Sequence, residues 1–210
     1  MNWDNIKEVQ NQVKVDGLLL ANASDHVKKD WNTVEIAIRQ NGLALQYAGD
    51  TLRDHTYIVE RAIYQNPLAF QYAGESVKKY EYLVHKVLKK NQDMLLYVSD
   101  TLKDNLLFMR PYVLKNSSNA KYLSERLKND KELAYLTLIN TKKGVCIEHF
   151  GLDVKEDEAI VLKAVQLNPA AYTFAGPILK SNPAFIAKVQ AYVTVPLNET
   201  IKLAMRFKEA

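Results

Sequence analysis

The feature that most constrains this chain is a repeat of 25 residues that runs through almost all of it. Asn41, Asn66, Asn91 and Asn116 are separated by that interval, and a tyrosine follows each of them six positions later. Self-similarity at a fixed period of this size is typical of proteins built from stacked supersecondary units. Counting the asparagine position as position 0, the seven repeats begin at the following residues: Asp16, Asn41, Asn66, Asn91, Asn116, Lys143 and Asn168.

The apolar positions within each repeat predict short helices. Asparagine at position 0 favours a helix start, because its side-chain oxygen accepts a hydrogen bond from a free backbone N–H. A first helix is therefore predicted over positions 1–7, with the apolar positions 4 and 7 on one face. Positions 17, 18, 21 and 22 form the buried stripe of a second helix over positions 15–24. Helices this short are not stable alone, so each repeat must pack against its neighbours.

These patterns predict an all-α fold, a right-handed α-solenoid-like stack of about seven two-helix repeats closed by helical caps. We expect a single domain over residues 1–210. Within it, residues 1–15 form an N-terminal cap, residues 16–192 the repeats, and residues 193–210 a C-terminal cap helix. A two-residue insertion near 141–144 interrupts the period once.

Composition narrows the class of protein. The net charge of +4 is not the large excess that a dedicated nucleic-acid binder carries. Cys146 is the only cysteine, so no disulfide can form within the chain. The N-terminal residues lack the apolar segment of a general secretion signal, and no apolar run approaches the roughly 20 residues that span a bilayer. We therefore predict a cytoplasmic protein without a transmembrane segment.

Three segments carry a resemblance to a known family: NGLALQYAGDTLRD, NPLAFQYAGESVKK and ERLKNDKEL. They are similar to the helical repeat catalogued as domain of unknown function 4116. The resemblance covers residues 16 to about 190 and is closest in the repeats that begin at Asn41 and Asn66. Members of this family in intracellular bacteria and protists include effector-like proteins. The resemblance thus implies a bacterial effector delivered into a host cell by specialised secretion, or an adaptor or inhibitor of another effector. It implies no catalytic residues.

The outward face of the second helix is the main candidate for a functional surface. Positions 15, 16, 19, 20 and 23 face away from the predicted core. In the middle repeats they hold aromatic, arginine and aliphatic side chains, which protein interfaces favour. The predicted protein-binding residues are Tyr57, Tyr64, Tyr82, His85, Leu107, Arg110, Leu114, Tyr135, Leu136 and Ile139. The alternative is that this helix lies in a middle layer and buries its second face as well.

Position 12 is basic in all seven repeats and forms a ladder of cations: Lys28, Arg53, Lys78, Lys103, Lys128, Lys155 and Lys180. Such a ladder is a candidate site for the phosphates of nucleic acid or anionic lipid. Position 9, however, is acidic in five repeats, and an acid three residues before a base pairs with it on a helix. Local pairing is therefore favoured, and phosphate binding is the alternative.

The sequence holds no recognisable motif for catalysis or metal binding. The four histidines fall at different repeat positions, so they do not line up as a ligand set. Cys146 and His149 lie close in sequence, but no second cluster completes a tetrahedral site. We predict no catalytic, cofactor-binding or metal-binding residues, and an enzyme with a noncontiguous site remains the second alternative. The predicted function is a non-catalytic scaffold that binds another protein.

Overall fold

The computed structural model describes residues 2–193, which form an all-helical structure without a strand in that range. This confirms the prediction of an all-α fold. The chain forms two compact units, a first unit over Met1–Leu102 and a second unit over Lys103–Ala210. The predicted C-terminal cap helix falls on residues 194–210, outside the described part, apart from its first residue. The single-domain organisation stays a prediction.

Each described repeat contains three helical segments, which are the two predicted helices and a single helical turn between them at positions 9–12. A 3₁₀ helix comes first: η1 (Gly17–Asn22), η2 (Gly42–Tyr47), η3 (Pro67–Tyr72), η4 (Gln92–Tyr97), η5 (Ser117–Tyr122), η6 (Gly144–His149) and η7 (Pro169–Phe174). A single α-helical turn follows: α2 (Asp25–Lys28), α4 (Asp50–Arg53), α6 (Glu75–Lys78), α8 (Asp100–Lys103), α10 (Glu125–Lys128), α12 (Leu152–Lys155) and α14 (Pro177–Lys180). A long helix ends the repeat: α3 (Trp31–Gln40), α5 (Thr56–Gln65), α7 (Glu81–Lys90), α9 (Leu106–Lys115), α11 (Lys131–Thr141), α13 (Glu158–Leu167) and α15 (Pro183–Gln190). Helix α1 (Ile6–Val13) precedes the first repeat, inside the predicted N-terminal cap.

The first segment of each repeat is a 3₁₀ helix because its backbone bonds join residues three apart. The N–H of Ala44, for example, donates to the carbonyl of Asn41 at 2.9 Å. A 3₁₀ helix has three residues per turn, so positions 4 and 7, here Leu45 and Ala48, share one face. Both are buried. The Asn41 side chain accepts from the N–H of Leu43 at 3.0 Å, which confirms the predicted cap.

The long helices begin and pack as the sequence predicts. Asp30 accepts a hydrogen bond from the N–H of Thr33 at 2.8 Å. The same cap is made by the other predicted residues: Asn105, Asp130, Asp157 and Asn182. Positions 17, 18, 21 and 22 of α5 are buried, and they are Ile58, Val59, Ala62 and Ile63.

Successive repeats contact each other in order within each unit. In the first unit, η1 to η4 form one series of neighbours, and α1, α3, α5 and α7 form another. The same holds in the second unit for η5 to η7 and for α9, α11, α13 and α15. Because each 3₁₀ helix also packs on long helices, as η2 and η3 do on α5, the core of each unit lies between the two series.

A backbone hydrogen bond links each repeat to the one before it. The N–H at position 8 donates to the carbonyl at position 12 of the preceding repeat. In the first unit these bonds join Gly49 to Lys28 at 2.8 Å, Gly74 to Arg53 at 2.7 Å and Ser99 to Lys78 at 3.3 Å. In the second unit they join Ser124 to Lys103 at 3.2 Å, Gly151 to Lys128 at 2.8 Å and Gly176 to Lys155 at 2.8 Å. The N–H of Ser24 donates to the carbonyl of Trp3 at 3.0 Å. The N-terminal segment therefore provides the acceptor that a preceding repeat provides elsewhere.

In three repeats the side chain at position 13 caps the short helix of the following repeat. The Asp54 carboxylate accepts from the N–H groups of Ser76 at 2.9 Å and Val77 at 3.2 Å. Asn129 and Glu156 act in the same way on the short helices α12 and α14. A helix of one turn leaves its N–H groups unpaired, so these acceptors come from a neighbouring repeat.

This cap explains the glycine at position 8 of three repeats. A Cβ added to Gly74 would lie 2.3 Å from Oδ1 of Asp54, and one on Gly151 would lie 2.1 Å from Oδ1 of Asn129. A Cβ on Gly176 would meet the Glu156 carboxylate at 2.2 Å. In these three pairs, glycine at position 8 leaves the space that the capping side chain occupies.

A second close approach joins position 1 to position 21 of the same repeat. A Cβ on Gly42 would lie 2.4 Å from the carbonyl oxygen of Ala62. The same contact occurs in two further pairs, Gly17 with Ala37 and Gly144 with Ala164. The four other repeats have a larger residue than glycine at position 1 and a larger residue than alanine at position 21. The two positions vary together within this chain.

The two-residue insertion lies at the end of α11. This helix has 11 residues, one more than α3, α5, α7, α9 and α13. Lys142 follows it with a φ of 53°, and its N–H donates to the carbonyl of Leu138 at 2.9 Å. A left-handed residue at this point ends a helix, and the repeat register resumes at Lys143.

Replacing Gly42 with alanine is expected to lower the free energy of unfolding by about 1–3 kcal/mol, because the new Cβ would overlap a backbone oxygen that cannot rotate away. The measurement is urea unfolding followed by circular dichroism. Gln92→Ala, at the same position of another repeat, is the matched control and should change stability little. Equal stability of the two variants would contradict the close approach.

Replacing Asp54 with alanine is expected to cost about 0.5–2 kcal/mol, since two N–H groups lose their acceptor. Asp54→Asn keeps an acceptor, as Asn129 does at the same position, and should retain most of the stability.

The Ser76 hydroxyl, with the N–H groups of Val77 and Ser76, holds the pKa of Asp54 below 3.8 against partial burial. This contribution is therefore complete above pH 3.8 and is lost as the pH falls through the lowered pKa. Unfolding titrations of the parent protein and Asp54→Asn from neutral to acid pH would check this, and parallel profiles would contradict it.

Candidate functional site

The ten predicted protein-binding residues lie on the long helices α5, α7, α9 and α11, and none of them is buried. Eight are exposed, while Leu114 and Leu136 are half-buried. The outward face of these helices is thus open to solvent in the chain by itself. Contact between these residues and a partner stays a prediction.

In the first unit the outward face is aromatic. The aromatic surface, as we name it, consists of Trp31, Tyr57, Tyr64, Tyr80 and Tyr82. Trp31 stacks on Tyr57 with ring centroids 5.8 Å apart, and Tyr80 lies 6.0 Å from Tyr82. Tyr64 is 77% exposed and Tyr82 is 56% exposed, so these rings present apolar faces to solvent.

Cations lie over the tyrosine rings of this surface. The guanidinium carbon of Arg61 is 5.2 Å from the centre of the Tyr57 ring, and its Nε–H donates to the Tyr57 hydroxyl at 3.2 Å. Nζ of Lys86 lies 4.4 Å from the centre of the Tyr82 ring. In both pairs the tyrosine is at position 16 and the cation at position 20, one helical turn later. Attraction between a cation and a ring face contributes about 0.5–1 kcal/mol at exposed sites.

Two acidic side chains of this face are held by internal partners. Glu35 accepts a hydrogen bond from the Tyr57 hydroxyl at 3.1 Å, and Glu60 forms an ion pair with Lys86 between α5 and α7. The hydrogen bonds with Glu60 and then Tyr82 raise the pKa of Lys86 to about 12. The hydrogen bond with Tyr57 likewise raises the pKa of Arg61. Both side chains are therefore cationic at neutral pH.

In the second unit the outward face is mainly aliphatic. The aliphatic surface, as we name it, consists of Leu107, Leu114, Tyr135, Leu136 and Ile139, with Arg110 among them. Leu107 is 82% exposed, and Tyr135 and Ile139 are also exposed. Helices α9 and α11 thus carry apolar side chains on both their inner and outer faces. A helix with apolar side chains on all sides is usually buried against other parts of a protein or against another molecule.

Two residues of the aromatic surface were missed in reading the sequence. Trp31 occupies position 15, one of the outward positions, but in the first repeat rather than a middle one. The repeat register alone would have found it. Tyr80 precedes α7 at a position where several repeats have a capping Asp or Asn, and no positional rule marks it as part of a surface.

Five of the seven cations of the position 12 ladder are engaged locally. The predicted acid–base pairs between positions 9 and 12 are confirmed in three repeats: Asp50 with Arg53, Glu75 with Lys78 at 3.2 Å, and Glu125 with Lys128 at 2.7 Å. In the last two repeats position 9 is not acidic. There, Nζ of Lys155 donates to the carbonyl of Glu148 at 2.9 Å, and Nζ of Lys180 donates to that of Thr173 at 2.7 Å. These five cations therefore already have partners, and phosphate binding by the ladder stays the alternative prediction.

The thiol of Cys146 is buried and is not positioned to react as a nucleophile. Burial raises the pKa of Cys146 to about 11, although a hydrogen bond with Thr141 opposes the shift. A reactive cysteine needs a lowered pKa and access to solvent, and Cys146 has neither. Within residues 2–193, no three His, Cys, Asp or Glu side chains lie close enough together to hold a metal ion.

Comparison with known proteins finds one family whose model matches part of this chain. The model of the family described as domain of unknown function (DUF4116) matches residues 6–53. This match confirms the resemblance over α1, the first repeat and the start of the second. No curated protein and no solved structure matches this chain. None of the helices between residues 2 and 193 combines the length and apolar character that crossing a membrane requires.

Native Cys146 is expected to react with a chromogenic aromatic disulfide at least about a hundredfold more slowly than a free thiol at neutral pH, because burial keeps it protonated and covered. Absorbance of the released aromatic thiolate gives the rate. Unfolding the protein in guanidinium chloride should restore rapid, stoichiometric reaction. Rapid labelling of the folded protein would show that the thiol is accessible.

Proposed function

We propose that this chain is a non-catalytic module that binds another protein through the outward faces of its long helices. The observation that carries this proposal is the exposure of large aromatic and aliphatic side chains at helix positions that face solvent. Contiguous apolar surface is rare on soluble monomers, and it commonly marks an interaction site. Tyrosine and arginine are among the residues that contribute most to protein binding when a partner covers them.

The proposal includes the right-handed, solenoid-like stacking predicted from the repeat. Ordered contact between successive repeats in each unit and the backbone bonds from position 8 to position 12 support it. Repeat proteins of this kind bind through surfaces that several repeats share. Helices α5 and α7 would form one such surface, and α9 and α11 another.

The role that suits such a module is that of an adaptor or inhibitor that holds another protein. The engaged cations of the position 12 ladder favour this function over phosphate binding. The protonated, buried thiol of Cys146 favours it over thiol-based catalysis. Delivery into a host cell remains an implication of the family resemblance.

Replacing Tyr57, Tyr82 and Arg110 together with alanine is expected to weaken binding of captured partner proteins at least about tenfold, because truncated anchors lose buried contact. The measurement is affinity capture from a cell lysate followed by mass spectrometry, with retained partners compared between the variant and the parent protein. Circular dichroism and urea unfolding would establish that the variant is folded.

A matched control replaces exposed residues of the short helices, Thr51, Thr101 and Asp153, with alanine. Partners that are lost from the first variant and kept by the control would support the proposed surfaces. Partners that survive unchanged on a folded first variant would show that these surfaces are wrong.

A further inference from the structure

Two dipeptides of the first unit carry a reactive arrangement that protein binding does not use. In Asp16–Gly17 and Asn41–Gly42, a residue whose γ carbon is a carbonyl carbon precedes glycine, and no other Asp or Asn of the chain is followed by glycine. Glycine has no side chain to shield its backbone nitrogen, so that nitrogen can approach the γ carbon closely. These two pairs are therefore the candidate sites for spontaneous modification of the chain.

At Asn41 the modification is deamidation. The Gly42 nitrogen forms a bond to Cγ of Asn41, the bond from Cγ to Nδ2 breaks, and ammonia leaves with the proton that the Gly42 nitrogen gives up. Water then opens the resulting succinimide at either of its carbonyls, which gives aspartate or isoaspartate. The first step requires that the Gly42 nitrogen is free and is turned towards Cγ.

The folded chain holds the Gly42 nitrogen away from that carbon. Gly42 is buried, and its N–H donates to Oε1 of Gln65 at 2.6 Å. The Asn41 side chain is engaged as well, since its Oδ1 accepts from the N–H of Leu43 at 3.0 Å. Ring closure needs the nitrogen and Cβ of Asn41 on the same side of the Cα–C bond. The extended backbone of Asn41, with a ψ of 110°, places them apart.

Glutamine at position 24 accompanies the reactive dipeptide. It occurs in the first two repeats, as Gln40 and Gln65, and in no other repeat of the sequence. Oε1 of Gln40 accepts from the N–H of Gly17 at 2.7 Å, as Gln65 does from the glycine of the second repeat. Gly144 also occupies position 1, but it follows a lysine, and its repeat has Leu167 at position 24. The glutamine is thus found only where glycine follows Asp or Asn.

From this geometry we infer that Asn41 is a site of spontaneous deamidation, and that the hydrogen bond from Gly42 to Gln65 keeps the site closed in the folded chain. Deamidation then requires local opening where α3 ends and η2 begins. An aspartate product keeps the cap, since Asp16 accepts from the N–H of Leu18 at 2.9 Å at the same position. An isoaspartate product adds a carbon to the main chain between the two helices.

The test is incubation of the whole chain at mildly alkaline pH, followed by proteolysis and mass spectrometry of the peptide that contains Asn41. The same chain unfolded in guanidinium chloride gives the unprotected rate. We expect Asn41 to deamidate at least about tenfold more slowly in the folded chain, because local opening must come first. Equal rates in the folded and unfolded chain would overturn the closed site.

Gln65→Ala should raise the rate of deamidation of folded Asn41 about fivefold, because it removes one hydrogen bond that holds the site closed. Gln65→Glu keeps an acceptor oxygen and should stay within about twofold of the parent rate. Gln40→Ala is the matched control, since it removes the same contact from the first repeat. It should leave the Asn41 rate unchanged and speed isomerisation of Asp16, which chromatography of the peptides detects.

Equal acceleration of Asn41 by Gln65→Ala and Gln40→Ala would overturn the assignment to Gln65, because it would indicate opening of the whole unit. An unchanged rate in Gln65→Ala would overturn it as well. Circular dichroism and urea unfolding would establish that each variant is folded during incubation. Gln65→Met, which keeps the length of the side chain without the amide acceptor, gives the same comparison if the alanine variant does not fold.

Discussion

The backbone hydrogen bond from position 8 of one repeat to position 12 of the preceding repeat is the contact on which the rest of each unit depends. Segments of 4 to 11 residues do not hold a helical conformation in isolation, so their stability must come from neighbours. This bond brings position 13 over the start of the next short helix, where Asp54, Asn129 and Glu156 supply acceptors that a single turn cannot provide. In these three pairs one repeat completes the hydrogen bonding of the next, so the two repeats are stabilised together.

The backbone hydrogen bonds and the buried stripe of each long helix stabilise the fold. The residues at the outward positions can therefore differ between repeats. Helix α3 has Asn32 and Glu35 there, α5 and α7 have tyrosines with cations, and α9 and α11 have leucine, tyrosine and isoleucine. One scaffold therefore presents two chemically distinct surfaces. The aromatic surface combines apolar rings with positive charge, whereas the aliphatic surface offers apolar contact with a single arginine.

Local features of the structure were predictable because a side chain and its partner lie within a few residues of each other. Asn41 and Asp30 cap helices through N–H groups two and three residues ahead, so the residue type and its register suffice. The 3₁₀ conformation of the first segment was not predictable in this way. Positions 4 and 7 share one face in either helix type, so the apolar pattern does not distinguish bonds three residues apart from bonds four residues apart. Trp31 stands at an outward position that the register marks, but only the packing of α3 against α5 brings its ring onto Tyr57. Tyr80 takes the place of a capping residue, so its position in the repeat did not mark it as part of a surface.

The sequence by itself determined the period, the caps and the buried stripe, because these follow from residue type at a fixed register. The tertiary structure decided that the outward positions of the long helices are open to solvent. Only the tertiary structure decided how one repeat meets the next. Gly74 and Asp54, or Gly42 and Ala62, are 20 residues apart along the chain and show no local pattern, yet each pair is in close contact. The same holds for Glu60 and Lys86, which join two long helices. Such pairs depend on distances across packed elements, and those distances are set by the folded chain rather than by the spacing of residues along it.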